Sequence, residues 1–143
     1  MAARYKRGLA RRAVNRLVRL LLRLGAGPGG TYLLTVPGHR SGVPRSTPVT
    51  LVEERGRRWL VAPYGEVAWV RNLRAAGKAA LSRGGRTEEI AVREVGAEEA
   101  APVLKLYVAR VPITRPYFDA RPESELDAFR VEAPRHPVFS IEG

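Results

Sequence analysis

The chain has no cysteine, one methionine and two histidines in 143 residues. Without thiols it forms no disulfide, and no cysteine nucleophile or thiolate metal site is available. His39 and His136 lie too far apart in sequence to read as a ligand pair, so no metal site is expected. No apolar run reaches the roughly 20 residues that a membrane span requires. Acidic residues are absent from positions 1–24, where Arg4, Lys6, Arg7, Arg11, Arg12, Arg16, Arg19 and Arg23 contribute +8. The remaining positions hold 17 basic and 14 acidic residues, a balance of +3, so the net charge of +11 is mainly N-terminal.

That basic segment reads as an amphipathic helix over residues 5–24. Leu9, Ala13, Leu17, Leu20, Leu21 and Leu24 recur every three or four positions, with most arginines between them. The arginines also interrupt any signal-peptide core. Such a helix either packs its leucine face on its own domain or lies on an anionic membrane surface. Nucleic acid is not an expected partner, because Tyr5 is the only aromatic available for base stacking in this segment. The expected division is therefore a helix and linker over 1–29 and one folded domain over 30–143. A cytoplasmic protein follows, with peripheral attachment at the inner face of the cell membrane if the helix binds lipid.

From residue 31 the pattern changes to short runs rich in β-branched residues. Strands are expected at 31–36, 47–53, 58–62, 78–83, 86–95 and 137–141. Helices are expected at 68–76, at 98–110 with Pro102 near the start, and at 123–132. Residues 112–122 read as irregular. About six antiparallel strands with helices between them imply a mainly β, α+β domain in which a small barrel carries its helices outside.

The stretch with most chemistry is Gly38-His39-Arg40-Ser41-Gly42-Val43-Pro44-Arg45, followed by Ser46-Thr47-Pro48-Val49. Glycines allow close backbone approach, successive amides can form an anion-binding concavity, and Arg40 and Arg45 offer forked donors. Read alone, it is equally a hairpin turn with solvated arginines. Arg71, Arg74 and Lys78 could extend the same basic groove. A second stretch, 63–77, contains Trp69-x-x-Asn72-Leu73. Trp69 shares a helical face with Leu73 and reads first as core, whereas Asn72 reads equally as a helix residue satisfying backbone or as a ligand contact. Arg115-Pro116-Tyr117-Phe118-Asp119 and Arg135-His136-Pro137-Val138-Phe139 complete the set. His136 reads as structural, and Arg58, Arg83, Arg86 and Arg93 as solvated strand faces.

In this order the motifs resemble the deazaflavin-dependent nitroreductase family. Its members carry Gly-Arg-Lys-Ser/Thr-Gly-x-Pro-Arg, then Thr-Pro, a strand and Trp-x-x-Asn-Leu. The resemblance implies a split β-barrel of the FMN-binding split-barrel type, coenzyme F420 as cofactor and hydride transfer to a quinone, an activated alkene or a nitro compound. A flavin such as FMN is the alternative cofactor. A non-catalytic ligand-binding relative, or a peripheral membrane module, is the alternative function. By the same resemblance His39, Arg40 and Ser41 hold the cofactor phosphate, and Arg45, Ser46, Thr47, Pro48 and Val49 run beside the deazaflavin ring. Ala62, Pro63 and Tyr64 meet the polar edge of the ring, while Ala68, Trp69 and Asn72 close the site. Tyr117 lines the substrate side and is the one candidate for a catalytic role. A homodimer is a further expectation. His39-Arg40 stands where the family usually has Arg-Lys, and residues 63–67 form a shorter loop than in nitroimidazole-reducing members.

Overall fold

The computed structural model describes residues 30–142. The helix expected over residues 5–24, and the membrane contact expected of it, lie outside the described residues. Six strands, β1 (Thr31–Pro37), β2 (Pro44–Glu54), β3 (Arg57–Val61), β4 (Lys78–Arg83), β5 (Arg86–Glu94) and β6 (Val138–Ile141), close into a barrel in the order β1-β2-β3-β6-β5-β4. Every neighbouring pair is antiparallel. Closure leaves no strand of the barrel with an unpaired edge, which removes a template for aggregation.

Three helices join the strands: α1 (Ala68–Ala76), α2 (Ala97–Arg110) and α3 (Leu126–Glu132). Short 3-10 turns at Pro112–Tyr117 and Ala133–Arg135 follow α2 and α3. The sequence expectations hold for all six strands within a few residues. Strand β2 begins earlier than expected, because Val36 and Pro37 continue the ladder with Arg45 and Pro44. Proline is tolerated there as the first strand residue. The third helix is shorter than the 123–132 expected. Ser124 instead folds back on Arg121, its Oγ accepting from the Arg121 amide at 2.9 Å while its own amide donates to the Arg121 carbonyl at 2.9 Å. This local hydrogen bonding competes with a helical turn.

Two packed layers share the strands. Leu34, Val36, Val49, Leu51, Leu60, Leu81, Ile90 and Phe139 fill the barrel, and Val70 and Leu73 of α1 close onto them. Their sequence neighbours Val52, Trp59, Val61 and Val138 point outward and pack beneath α2 with Leu104, Tyr107 and Val108. Strands buried on both faces read as continuous apolar runs, as in Leu51-Val52 and Trp59-Leu60-Val61. Strand β5 has one buried residue, Ile90, and five of its nine residues are charged. At the tip of the β4–β5 hairpin, Gly84 and Gly85 adopt φ of 58° and 78°, a two-residue turn that only glycine-like residues make readily.

The cross-strand register and the helix placement bring the β1–β2 loop, the start of α1, the end of β3 and the turn before α3 into the two clusters described next.

Candidate functional site

The β1–β2 loop is closed on itself. The Gly38 amide donates to the Val43 carbonyl at 2.9 Å and the Gly42 amide to the Gly38 carbonyl at 2.8 Å. Ser41 Oγ accepts from the Val43 amide at 3.1 Å. A Cβ at Gly38 would sit 2.9 Å from Ser41 Oγ and 3.3 Å from the Val43 carbonyl, so a side chain there would push the loop apart by a few tenths of an ångström. Asn72 of α1 holds this loop to the domain. It is buried, and its Oδ1 accepts from the His39 amide at 3.0 Å while meeting His39 Nδ1 at 2.5 Å. Asn72 therefore anchors the loop by its carbonyl oxygen.

His39, Arg40, Ser41 and Arg45 are exposed. Among the described residues neither Arg40 nor Arg45 meets a carboxylate. Arg74 behaves differently. Both its arms are committed, bidentate to Glu94 at 2.8 and 2.7 Å and to Glu66 at 2.8 Å. These contacts, with Glu94 the stronger, raise the guanidinium pKa further. Arg74 is thus withdrawn from the basic groove that its sequence position suggested. Arg71 donates to the Glu66 carbonyl at 2.6 Å. Two arginines read as solvated strand faces are also paired: Arg58 bidentate to Glu88 at 3.0 and 2.6 Å, and Arg93 to Glu142 at 3.1 Å. The barrel explains these pairs: Arg93 reaches across to the residue that follows β6, and Arg58 of β3 reaches over β6 to Glu88 of β5.

Past the loop, Ser46 and Thr35 share a 2.8 Å hydroxyl contact across the β1–β2 ladder. Ser46, Thr47 and Pro48 are half-buried, whereas Val49 is in the barrel core and Ala62 is fully buried. The side chains of Val49 and Ala62 are consumed by packing. Trp69 at the start of α1 is half-buried and tilted against Phe139, with ring centroids 6.2 Å apart. One part of Trp69 is therefore core, as its spacing predicts, and the rest is open.

A second cluster forms where β3 ends. Pro63 is buried and Tyr64 half-buried. Tyr64 meets Tyr117 edge-on at 4.8 Å, an arrangement aromatic quadrupoles favour. Tyr117 ends the 3-10 turn that Arg115 staples to the C-terminus of α2, donating to the Val108 carbonyl at 2.8 Å and the Ala109 carbonyl at 3.1 Å. Behind this pair, burial pushes up the Tyr107 phenol, with a smaller push from Tyr64. The structure thus brings Pro63, Tyr64 and Tyr117 together, and separately joins His39 to Asn72.

Sequence reading missed Glu132 and correctly took His136 as structural without finding its partner. Both are buried, and His136 Nε2 lies 2.9 Å from Glu132 Oε1. Their spacing of four residues across the end of a helix is the available sequence signal.

The family model for F420H(2)-dependent quinone reductase matches residues 6–121. The chain belongs to this family. It is accordingly an oxidoreductase whose cofactor is F420, and the flavin alternative is unnecessary. Among solved structures, an F420-H2 dependent reductase, FDR-A, is 28% identical with a TM-score of 0.57, over 80% of this chain and 95% of that one. A protein described as a domain-swapped dimer has 23% identity and a TM-score of 0.60, over 93% of this chain and 96% of that one. A heme binding protein from Mycobacterium smegmatis, at 15% identity and a TM-score of 0.56, shares the fold over 84% of this chain and 48% of its own length. No curated protein matches the chain. No described helix is long and apolar enough to cross a membrane.

The residues present fit F420. Its phosphate and carboxylate-rich tail call for guanidinium and hydroxyl donors that are not already neutralised, which the exposed loop has in Arg40, Ser41 and Arg45. Its planar ring calls for half-buried, partly apolar walls, which Pro48, Tyr64 and Trp69 offer.

Proposed function

We propose that this member of the family passes a hydride from reduced F420 to an activated electrophile: a quinone, an activated alkene or a nitro compound. The observation that carries the reading is the pair of exposed arginines on a glycine-closed loop, held to α1 by Asn72, beside half-buried Ser46, Thr47 and Pro48. Arg40, Ser41 and Arg45 would hold the cofactor phosphate by charge-assisted hydrogen bonds. His39 orients the loop through Asn72. Ser46, Thr47, Pro48 and the backbone at Val49 would flank the ring. Backbone groups at Ala62 and Pro63 would meet its polar edge, Tyr64, Ala68 and Trp69 would close it in, and Tyr117 would face the substrate.

The bound deazaflavin supplies the hydride, so the chain has only to bind, orient and exclude water. Edge-to-face packing sets Tyr64 and Tyr117 at 78° to each other, and these rings would border an aromatic or quinoid acceptor. The proton that completes reduction is assigned to solvent, since phenols as a class are weak acids at neutral pH. A homodimer belongs to the same proposal, supported by the fold neighbour described as a domain-swapped dimer. Light scattering of the full chain tests it.

The decisive experiment is titration with oxidised F420, followed by its fluorescence, and then single turnover of reduced F420 with a simple benzoquinone. Micromolar binding and acceptor-dependent reoxidation are expected. Absence of binding would overturn the reading.

A further inference from the structure

The Glu132–His136 pair takes no part in the cofactor contacts proposed above, yet both residues are nearly inaccessible, at 1% and 3% exposure. Each arm of the pair reaches a different part of the site. His136 Nδ1 lies 2.9 Å from the Pro63 carbonyl, immediately before Tyr64. Glu132 accepts the Asp119 amide on Oε1 at 2.7 Å and the Ala120 amide on Oε2 at 2.9 Å, immediately after Tyr117 and Phe118. Phe118 stacks on the His136 ring at 3.8 Å and 18°. The Ala62 amide donates to the Pro137 carbonyl at 2.9 Å, tying the same two segments again.

The Pro63 carbonyl only accepts, so Nδ1 carries a hydrogen. The 2.9 Å contact between Nε2 and Oε1 then holds one further proton between imidazole and carboxylate, since two lone pairs would repel there. Burial lowers the His136 pKa, opposed by Glu132 and the Pro63 carbonyl. The other charged groups at the pair are Arg135, whose Nη2 is 3.6 Å from Glu132 Oε1 and 2.9 Å from Asp119 Oδ2, and Asp119 itself.

Buried polar pairs are seldom worth more than apolar residues of equal volume, whose burial carries no such desolvation cost. What they add is direction. We propose that Glu132 and His136 are positioning residues, fixing Pro63–Tyr64 against Tyr117–Ala120 so that Tyr64 and Tyr117 keep the geometry the site requires. This rests on the reading that Pro63 and Tyr64 border the cofactor ring and Tyr117 its substrate side.

Two full-length variants separate positioning from packing. His136→Asn retains an N–H that can reach the Pro63 carbonyl, and His136→Leu does not; both lose the contact to Glu132 and both should melt earlier. His136→Leu is expected to weaken F420 binding about tenfold and to lose tyrosine-band near-ultraviolet circular dichroism in the cofactor-free protein, while His136→Asn stays within about threefold of wild type. Equal weakening by both, or no weakening by His136→Leu, overturns the proposal. Where His136→Leu fails to fold, the wild type decides: F420 should slow hydrogen exchange at the Asp119 and Ala120 amides, and unchanged exchange overturns the proposal. If wild type does not bind F420, the functional reading fails by itself, and the dichroism comparison still decides whether the pair sets Tyr64 against Tyr117.

Discussion

The two sides of the site solve opposite electrostatic problems. On the β1–β2 loop, Arg40 and Arg45 stand in water without carboxylate neighbours among the described residues, so their charge is available to an incoming anion. Around Pro63, Glu132 and His136 are sealed from water, and their polar atoms are satisfied by one another and by three backbone groups. An exposed cation is inexpensive to keep and weak until a ligand desolvates it. A buried pair contributes little net stability but holds its neighbours in one arrangement. The difference separates affinity from geometry: the loop attracts, and the buried pair aligns.

Breaking the buried side should produce the largest effect. Glu132→Ala leaves His136 and the Asp119 and Ala120 amides without their acceptor and should cost about 3–5 kcal/mol of stability in denaturant unfolding. On the exposed side, Arg40→Ala should leave the unfolding curve unchanged while raising the F420 dissociation constant about tenfold, near 1.4 kcal/mol. A matching loss of cofactor-free stability would mean that Arg40 supports the loop instead. Gly38→Ala lies between the two classes. Its Cβ would press on Ser41 Oγ and the Val43 carbonyl, and a loss of about 1 kcal/mol is expected, read as a lower melting temperature with weaker F420 binding.

Two further measurements sharpen the contrast with arginines that are already paired. Arg74→Met should change stability by no more than about 1 kcal/mol and leave F420 affinity unaltered, because its forks are committed to Glu94 and Glu66. The smallest effect concerns pH. Hydrogen bonding from Trp59 Nε1 at 3.1 Å, helped by Arg93 and Arg57, lowers the Glu99 pKa against its burial. A carboxylate depressed in the folded state contributes stability that is present above its unfolded value of about 4.3 and is lost as pH falls below it. Glu99→Gln should therefore flatten the acid limb of the melting curve, slightly lower stability at neutral pH where the carboxylate contributes, and converge with wild type below about pH 4.

Local chemistry made much of this legible. Turn residues and β-branched runs marked all six strands, because hairpin signals act over a few residues. The exposed loop was recognisable from its own composition, and Trp69 and Leu73 from helical spacing. What was not legible depended on partners far away in sequence. Arg74 looks available by sequence, yet Glu94, 20 residues on, takes its Nε and Nη2, and Glu66 takes its Nη1. The contact of Asn72 with His39, 33 residues earlier, has no local signal at all. The third helix was drawn too long because the Arg121–Ser124 turn competes locally with its first turn.

By itself, the sequence determined a basic N-terminal segment, a six-stranded mainly β domain and a cation-bearing loop, since charge, period and turn chemistry are properties of neighbouring residues. Only the tertiary structure decided that β6 closes the barrel between β3 and β5, and that His136 meets Pro63 across 73 residues. Both depend on which distant surfaces must be buried together, and that is a property of the whole packed chain.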